Sequence, residues 1–276
     1  MKPAAFDYVR ADSGDEAIGL LARHGGDARI LAGGQSLMAV LNMRLAQPEM
    51  LIDISRSADL DYARAQGGVL AVGAAATQGS VEWRPSLARE VPLLAQAFPF
   101  ISHFQIRNRG TVCGSVAHAD PSAEIPLVLA ALDGEVVLRN AKKRRVLRAA
   151  DFFQGMLMTA REPDELIEEV RFPLGRPGQG TAFAEFSARH GDFAIVAAAA
   201  VADANGLRLA IGGVADRPRV ARWPAGLGTA DLDAALNDFA WELGARDDAH
   251  AGASFRRHLV RKLGARVIAQ AMEGRA

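Results

Sequence analysis

Cysteine is almost missing from this chain. Cys113 is the single thiol in 276 residues, which excludes an intrachain disulfide and fits a reducing, cytoplasmic setting. It also excludes a self-contained iron–sulfur cluster of the all-cysteine kind, which draws several thiolates from one protein. Histidine is sparse too: the six are scattered, with no HExxH or comparable metal-ligand spacing. Charge of one sign is absent, because 32 basic side chains balance 32 acidic ones. Without a basic face, nucleic acid is excluded as a partner, and the run from Lys142 to Arg145 reads as a solvated hairpin turn. Long apolar runs are lacking as well. The longest, residues 194–202, is too short to cross a bilayer, and residues 1–10 lack the apolar centre of a signal peptide.

What is present is an ordinary globular composition, 50% hydrophobic, with enough chain for one or two domains. The organising stretch is Ile30-Leu31-Ala32-Gly33-Gly34-Gln35-Ser36-Leu37. Residues 28–31 read as a buried strand, and Leu37, Val40, Leu41 and Arg44 follow at helical spacing. Two glycines between strand and helix let the backbone take positive φ and bring its N–H groups up to an incoming group. With the partial charge of a helix start, such a loop suits a pyrophosphate; a plain strand-to-helix turn explains the same residues. A second small-residue loop, Gly110-Thr111-Val112-Cys113-Gly114-Ser115, precedes Asp120 and Pro121. Those two suit the N-cap and first position of a helix over residues 121–132. Two such loops can hold two sides of one dinucleotide, or they can be unrelated turns.

Around these loops the pattern is mixed helix and strand. Ser13 and Glu16 make a capping box before a helix that Gly25-Gly26 ends. Residues 51–54 and 69–72 read as strands, and Thr77 as a helix cap. Residues 91–104 are apolar at helical spacing. Residues 136–138 and 145–147 form a hairpin, and residues 166–172 a strand closing the first half. The opening is βαβ-like, but the GxGxxG fingerprint is absent, so no nicotinamide site is expected. Residues 174–180, rich in glycine and proline, are the best linker. Beyond it, residues 181–187, 193–202 and 207–214 read as three strands, with Asn205-Gly206 as a hairpin signal. The remainder is helical, with an apolar face through Leu259, Leu263, Val267 and Ala271.

Four blocks now stand in order: AGGQSL (32–37), RNRGTVCGSVAHADPSAEIPL (107–127), DFFQGMLMTAREPDELIEEVRFP (151–173) and RHGDFAIVAAAA (189–200). Together they resemble the medium, FAD-binding subunit of the molybdenum hydroxylases, the xanthine dehydrogenase and aerobic carbon monoxide dehydrogenase family. The resemblance spans essentially the whole chain. It implies an α+β fold: a two-lobed FAD-binding domain of the vanillyl-alcohol oxidase (PCMH) type over residues 1–176, with lobes of about 1–55 and 56–176. A carboxy-terminal domain over residues 177–276 follows, a small antiparallel three-stranded sheet plus helices.

By the same resemblance, Ala32, Gly33, Gly34, Gln35 and Ser36, with Thr111, Cys113, Gly114 and Ser115, contact the FAD pyrophosphate and ribityl chain. Glu124 stands where the family carries an acidic residue near the cofactor, or is simply a carboxylate at a helix start. Leu166 or Ile167 matches an apolar position against the flavin, with core packing as the alternative. Phe193 matches an aromatic over the isoalloxazine ring, or is a core residue opening a strand. His118 and His103 flank the second loop, either as ordinary loop histidines or as contacts to phosphate or ribose. Two departures stand out: Cys113 replaces a glycine of many relatives, and Glu185 a lysine of some. Cys113 fits a buried small hydrophobe better than a redox thiol.

No acid–base or metal constellation emerges, so no catalytic residue is expected here. The implied role is electron transfer through FAD. A small iron–sulfur subunit carrying [2Fe-2S] clusters and a large subunit carrying the molybdenum cofactor are the implied partners, in a dimer of heterotrimers without a membrane span. A stand-alone flavin reductase of the same fold and a flavin-free structural subunit are the alternatives.

Overall fold

The first lobe follows its sequence pattern. The computed structural model describes residues 2–275. It opens with β1 (Asp7–Arg10), α1 (Gly14–His24), β2 (Ala28–Leu31), α2 (Leu37–Asn42) and β3 (Met50–Asp53). The strands form a parallel sheet in the order β1-β3-β2, onto which α1 lays its buried Ala17, Ile18, Leu20 and Leu21. Ser13 Oγ accepts from the Glu16 N–H at 3.2 Å. The return arm goes to the Asp12 N–H, at 2.8 Å, instead of to Ser13. Gly25, at φ 51°, ends the helix.

A second lobe is built on a five-stranded antiparallel sheet, and its helices lie between the strands in sequence. These elements are β4 (Ala63–Gln66), β5 (Val69–Gly73), α3 (Gln78–Glu82), α4 (Leu87–Glu90), α5 (Pro92–Ala97), α6 (Phe104–Arg107), α7 (Val112–His118) and α8 (Glu124–Ala131). Next come β6 (Glu135–Arg139), β7 (Arg144–Arg148), α9 (Ala149–Phe152), β8 (Phe153–Gly155), β9 (Met158–Thr159) and β10 (Leu166–Pro173). The sheet order is β4-β5-β10-β6-β7, with β8 and β9 a separate hairpin. Thr77 caps α3 as expected, its Oγ1 accepting from the Ser80 N–H.

Two helices differ from their sequence pattern. The apolar run 91–104 is broken after α5 by a single 3-10 turn, Phe98–Phe100, because Pro99 has no N–H to donate back along the helix. The helix expected from Pro121 begins three residues later, at Glu124. Asp120 Oδ1 accepts from the Ser122 N–H at 2.8 Å, so its side chain closes an Asx turn and does not cap the helix. Every residue of α8 is buried, as befits a helix covered on all sides.

The carboxy-terminal part is an antiparallel sheet of β11 (Gly180–Ser187), β12 (Ala194–Asp203), β13 (Gly206–Gly212) and β14 (Arg219–Trp223), followed by α10 (Thr229–Glu242) and α11 (Ala253–Glu273). The expectation of three strands is corrected to four. β14 is a half-exposed edge strand, and its Arg219 and Arg222 mask the apolar alternation. β12 is buried on both faces. Ala197, Ala199 and Val201 join the large core shared with the second lobe, while Val196, Ala198, Ala200 and Ala202 join a second core under α10 and α11. That double burial is why residues 194–202 read as an unbroken apolar run. Among the described residues no helix is long and apolar enough to cross a membrane.

Candidate functional site

The turn between β2 and α2 forms one wall of a cleft of about 350 Å³, lined by residues 31–35, Met38, Asp53, Ser55 and Arg109. Gly34 takes φ 72°, a left-handed conformation that glycine adopts without strain. Gly33 serves a different need. A Cβ placed there would lie 2.1 Å from the Arg109 carbonyl oxygen and 2.6 Å from Gly110 Cα. The first loop therefore rests directly on the second, with no room for a side chain between them.

The backbone N–H groups of residues 32–37 find no acceptor among the described residues. The Gln35 amide turns inward, donating Nε2–H to the Gly33 carbonyl at 2.8 Å. Unpaired N–H groups beside a cleft that Arg109 also lines make a cradle for an anion. Because α2 has only six residues, the N–H groups, not a helix dipole, carry that affinity.

The second loop is spent on structure. Gln78 N–H donates to the Gly110 carbonyl at 2.7 Å and Val112 N–H to the Ala76 carbonyl at 3.3 Å, bridging Thr77 and Thr111. Thr111 Oγ1 accepts from the Gly114 N–H at 2.9 Å and caps α7. Ser115 N–H is taken by the Thr111 carbonyl, while the Ser115 hydroxyl finds no partner among the described residues. Cys113 is directed away from the loop surface. It is buried, and its thiol donates to the Val72 carbonyl at 3.4 Å. Burial pushes its pKa up, so it is an unreactive core residue.

The other predicted positions are dispersed. His118 closes α7, half-buried. Leu166 and Ile167 are buried in the large core, and neither lines the cleft. Phe193 precedes β12 and is 66% exposed; it does not open the strand as a core residue. His103 is exposed at the N-cap of α6. Glu124 opens α8 and is buried, with its carboxyl within hydrogen-bond reach of that of Glu185.

A family model for the FAD-binding domain in molybdopterin dehydrogenase matches residues 4–175. The chain belongs to this family. It is an FAD-binding medium subunit of the molybdenum hydroxylase type, an oxidoreductase flavoprotein. It is 36% identical to the nicotine 6-hydroxylase medium subunit of Paenarthrobacter nicotinovorans, over 98% of this chain and 99% of that one. It is 43% identical to subunit alpha of the 6-hydroxypseudooxynicotine dehydrogenase complex of the same organism, over 73% of this chain and 68% of the relative. In three dimensions it is similar to a chain of the carbon monoxide dehydrogenase of Hydrogenophaga pseudoflava. That match has a TM-score of 0.94 at 31% identity and covers 100% of both chains.

In this medium subunit, sequence reasoning missed Arg109, Asp53 and Ser55 of the cleft, along with the flanking Leu31 and Met38. Arg109 lies inside the second block but lines the cleft beside the first loop, its carbonyl pressed against Gly33. Asp53 and Ser55 enter from the end of β3, where Asp53 accepts from the Tyr8 hydroxyl and the Ser55 N–H. Only the parallel pairing of β2 with β3, which sets Leu31 beside Asp53, brings them there.

Proposed function

We propose that the cleft between the two loops holds the FAD pyrophosphate, and that this subunit carries electrons from a partner's iron–sulfur clusters to an external acceptor. The supporting observation is the row of unpaired N–H groups at residues 32–37, on a loop pressed so tightly against Arg109 and Gly110 that only glycine fits at position 33. Such a cradle fits a diphosphate: backbone donors approach closely and Arg109 offsets the charge. Ala32, Gly33, Gly34, Gln35 and Ser36 are the proposed pyrophosphate contacts. Thr111, Gly114 and Ser115 border them, and His118 and Glu124 lie further along the same segment. The exposed ring of Phe193 is available to cover one face of a flavin and exclude water. Bound FAD supplies the electron-transfer chemistry, and the protein supplies binding and orientation.

The same reading divides the chain at about residue 176, with FAD held by the amino-terminal part. It also requires partners. One cysteine cannot ligate iron–sulfur clusters, and among the described residues no cluster of metal-binding side chains occurs. A small iron–sulfur subunit and a large molybdenum-cofactor subunit therefore complete the enzyme, in a cytoplasmic dimer of heterotrimers. Purification of the tagged chain from its native host tests this. Stoichiometric iron, molybdenum and FAD with two further polypeptides are expected. A free, fully active flavoenzyme containing neither metal would overturn it.

A further inference from the structure

Glu185 is a buried carboxylate with nothing to donate to it. Both its oxygens are sealed from solvent, and neither has a hydrogen-bond partner among the described residues. On β11 it shares a face with Phe183, which belongs to the large core. Its carboxyl lies within hydrogen-bond reach of that of Glu124, itself only 6% exposed at the start of α8. Two carboxylates cannot hydrogen-bond each other, and an unpaired buried charge is strongly disfavoured. One proton placed between them resolves both problems.

The surroundings offer no other remedy. Arg107 of α6 is a cation that acts on Glu124, but its guanidinium is already bidentate on Glu82 at 2.7 and 2.9 Å and bound to the Ile101 carbonyl. Asp120, before α8, adds a like charge. Neither α5 nor residues 194–202 of β12 carries a titratable side chain. From α7 comes His118, and α9 brings the exposed Asp151. Arg208 of β13 and Arg222 of β14 are both spent on Asp133, past the far end of α8, and Arg219 of β14 is exposed. α11 packs on the opposite face of β11.

We propose that Glu124 and Glu185 share one proton and form a pH-sensitive clasp, fastening β11 of the carboxy-terminal sheet to α8 of the FAD-binding half and loosening when the second carboxyl ionises. The segment it anchors runs from β11 directly into the loop bearing Phe193, which at Gly191 rests against Ser102 and His103. Burial, followed for Glu185 by the neighbouring Glu124 charge, raises Glu124 to about 7 and Glu185 to about 8; the pair titrates as a unit. Both groups bind protons more tightly folded than unfolded. Stability therefore falls as pH rises from the ordinary glutamate value of 4.5 through about 8, and the penalty is absent below that window.

The test is thermal unfolding of the full chain against pH, for the natural protein and Glu185→Gln, whose amide can donate to Glu124 without a shared proton. The natural protein should lose roughly 5 °C or more between about pH 6 and about pH 9 relative to the variant. Glu124→Gln should flatten the curve likewise and serves if the first variant fails to fold. In the natural protein, infrared spectra should show a protonated-carboxyl C=O stretch at neutral pH that vanishes as the window is passed. Parallel unfolding curves for natural and variant proteins, or no such band, would overturn the clasp. Both readouts are taken on the FAD-free chain, so neither depends on bound cofactor.

Discussion

The two glycine loops look alike in sequence and do opposite work. In the first, the N–H groups of residues 32–37 are left without acceptors among the described residues, and residues 32–35 line a cleft. In the second, the N–H groups of Val112, Gly114 and Ser115 and the Gly110 carbonyl are taken by the bridge to Thr77 and by the cap of α7, and among the described residues only the Thr111 and Cys113 N–H groups lack acceptors. One loop is built to receive a ligand, and the other to hold the first in place, with Gly33 seated on Arg109 and Gly110. A run of small residues thus signals close approach of backbone to something. Whether that something is a ligand or another part of the chain is decided by where the hydrogen bonds go.

The largest effect should come from breaking the contact that joins the loops. Gly33→Val puts branched carbon where the nearest atom, the Arg109 carbonyl oxygen, is 2.1 Å from the Cβ position. Both neighbours are backbone, so neither can swing aside. A loss of about 3 kcal/mol is expected, at the upper end for overpacking, together with nearly complete loss of FAD. The flavin-to-protein absorbance ratio and a denaturant titration measure the two. Normal flavin content in a folded Gly33→Val chain would mean that the cradle lies elsewhere.

A smaller effect should separate the roles of the loops. Thr111→Ala removes the acceptor of the Gly114 N–H and the N-cap of α7, costing about 1 kcal/mol. For a chain of this size that lowers the melting temperature by about 2–4 °C. Flavin content should stay near stoichiometric, because the Thr111 hydroxyl already points inward. Flavin loss without a fall in stability would mean that the second loop is a ligand loop like the first, and the comparison would collapse.

Which features could be read from sequence follows the range of the interactions that decide them. The Ser13 cap of α1, the strand and glycine turn at residues 28–34, and the hairpin across residues 139–144 are set by near neighbours, and they formed as their residues indicate. Even the hairpin after β12 needed an adjustment, since Asp203 pairs with Gly206 and the turn falls on Ala204 and Asn205. The orientation of Cys113 could not be read, because it depends on β5 lying beneath α7. Nor could β14, whose arginines look like loop residues until β13 pairs with them. Arg109 sits two residues from Thr111 in sequence, yet it serves the other loop. The Glu124–Glu185 pair joins residues from two halves of the chain, and only packing reveals that the two carboxyls meet.

The smallest effect is expected at a side-chain group that the second loop leaves free. Ser115 Oγ makes no hydrogen bond among the described residues, and its own N–H is satisfied by the Thr111 carbonyl. Removing the hydroxyl therefore leaves no protein group unpaired, and Ser115→Ala should change stability by no more than about 0.5 kcal/mol. If the hydroxyl reaches bound FAD, its loss weakens binding by about 0.5–1.5 kcal/mol, the net contribution of one hydrogen bond. That corresponds to roughly two- to twelve-fold in Kd, measurable by flavin titration of the apoprotein. An unchanged Kd would make the second loop wholly structural and sharpen its contrast with the first. A loss as large as that of Gly33→Val would instead mean that Ser115, and not the open N–H row, anchors the cofactor.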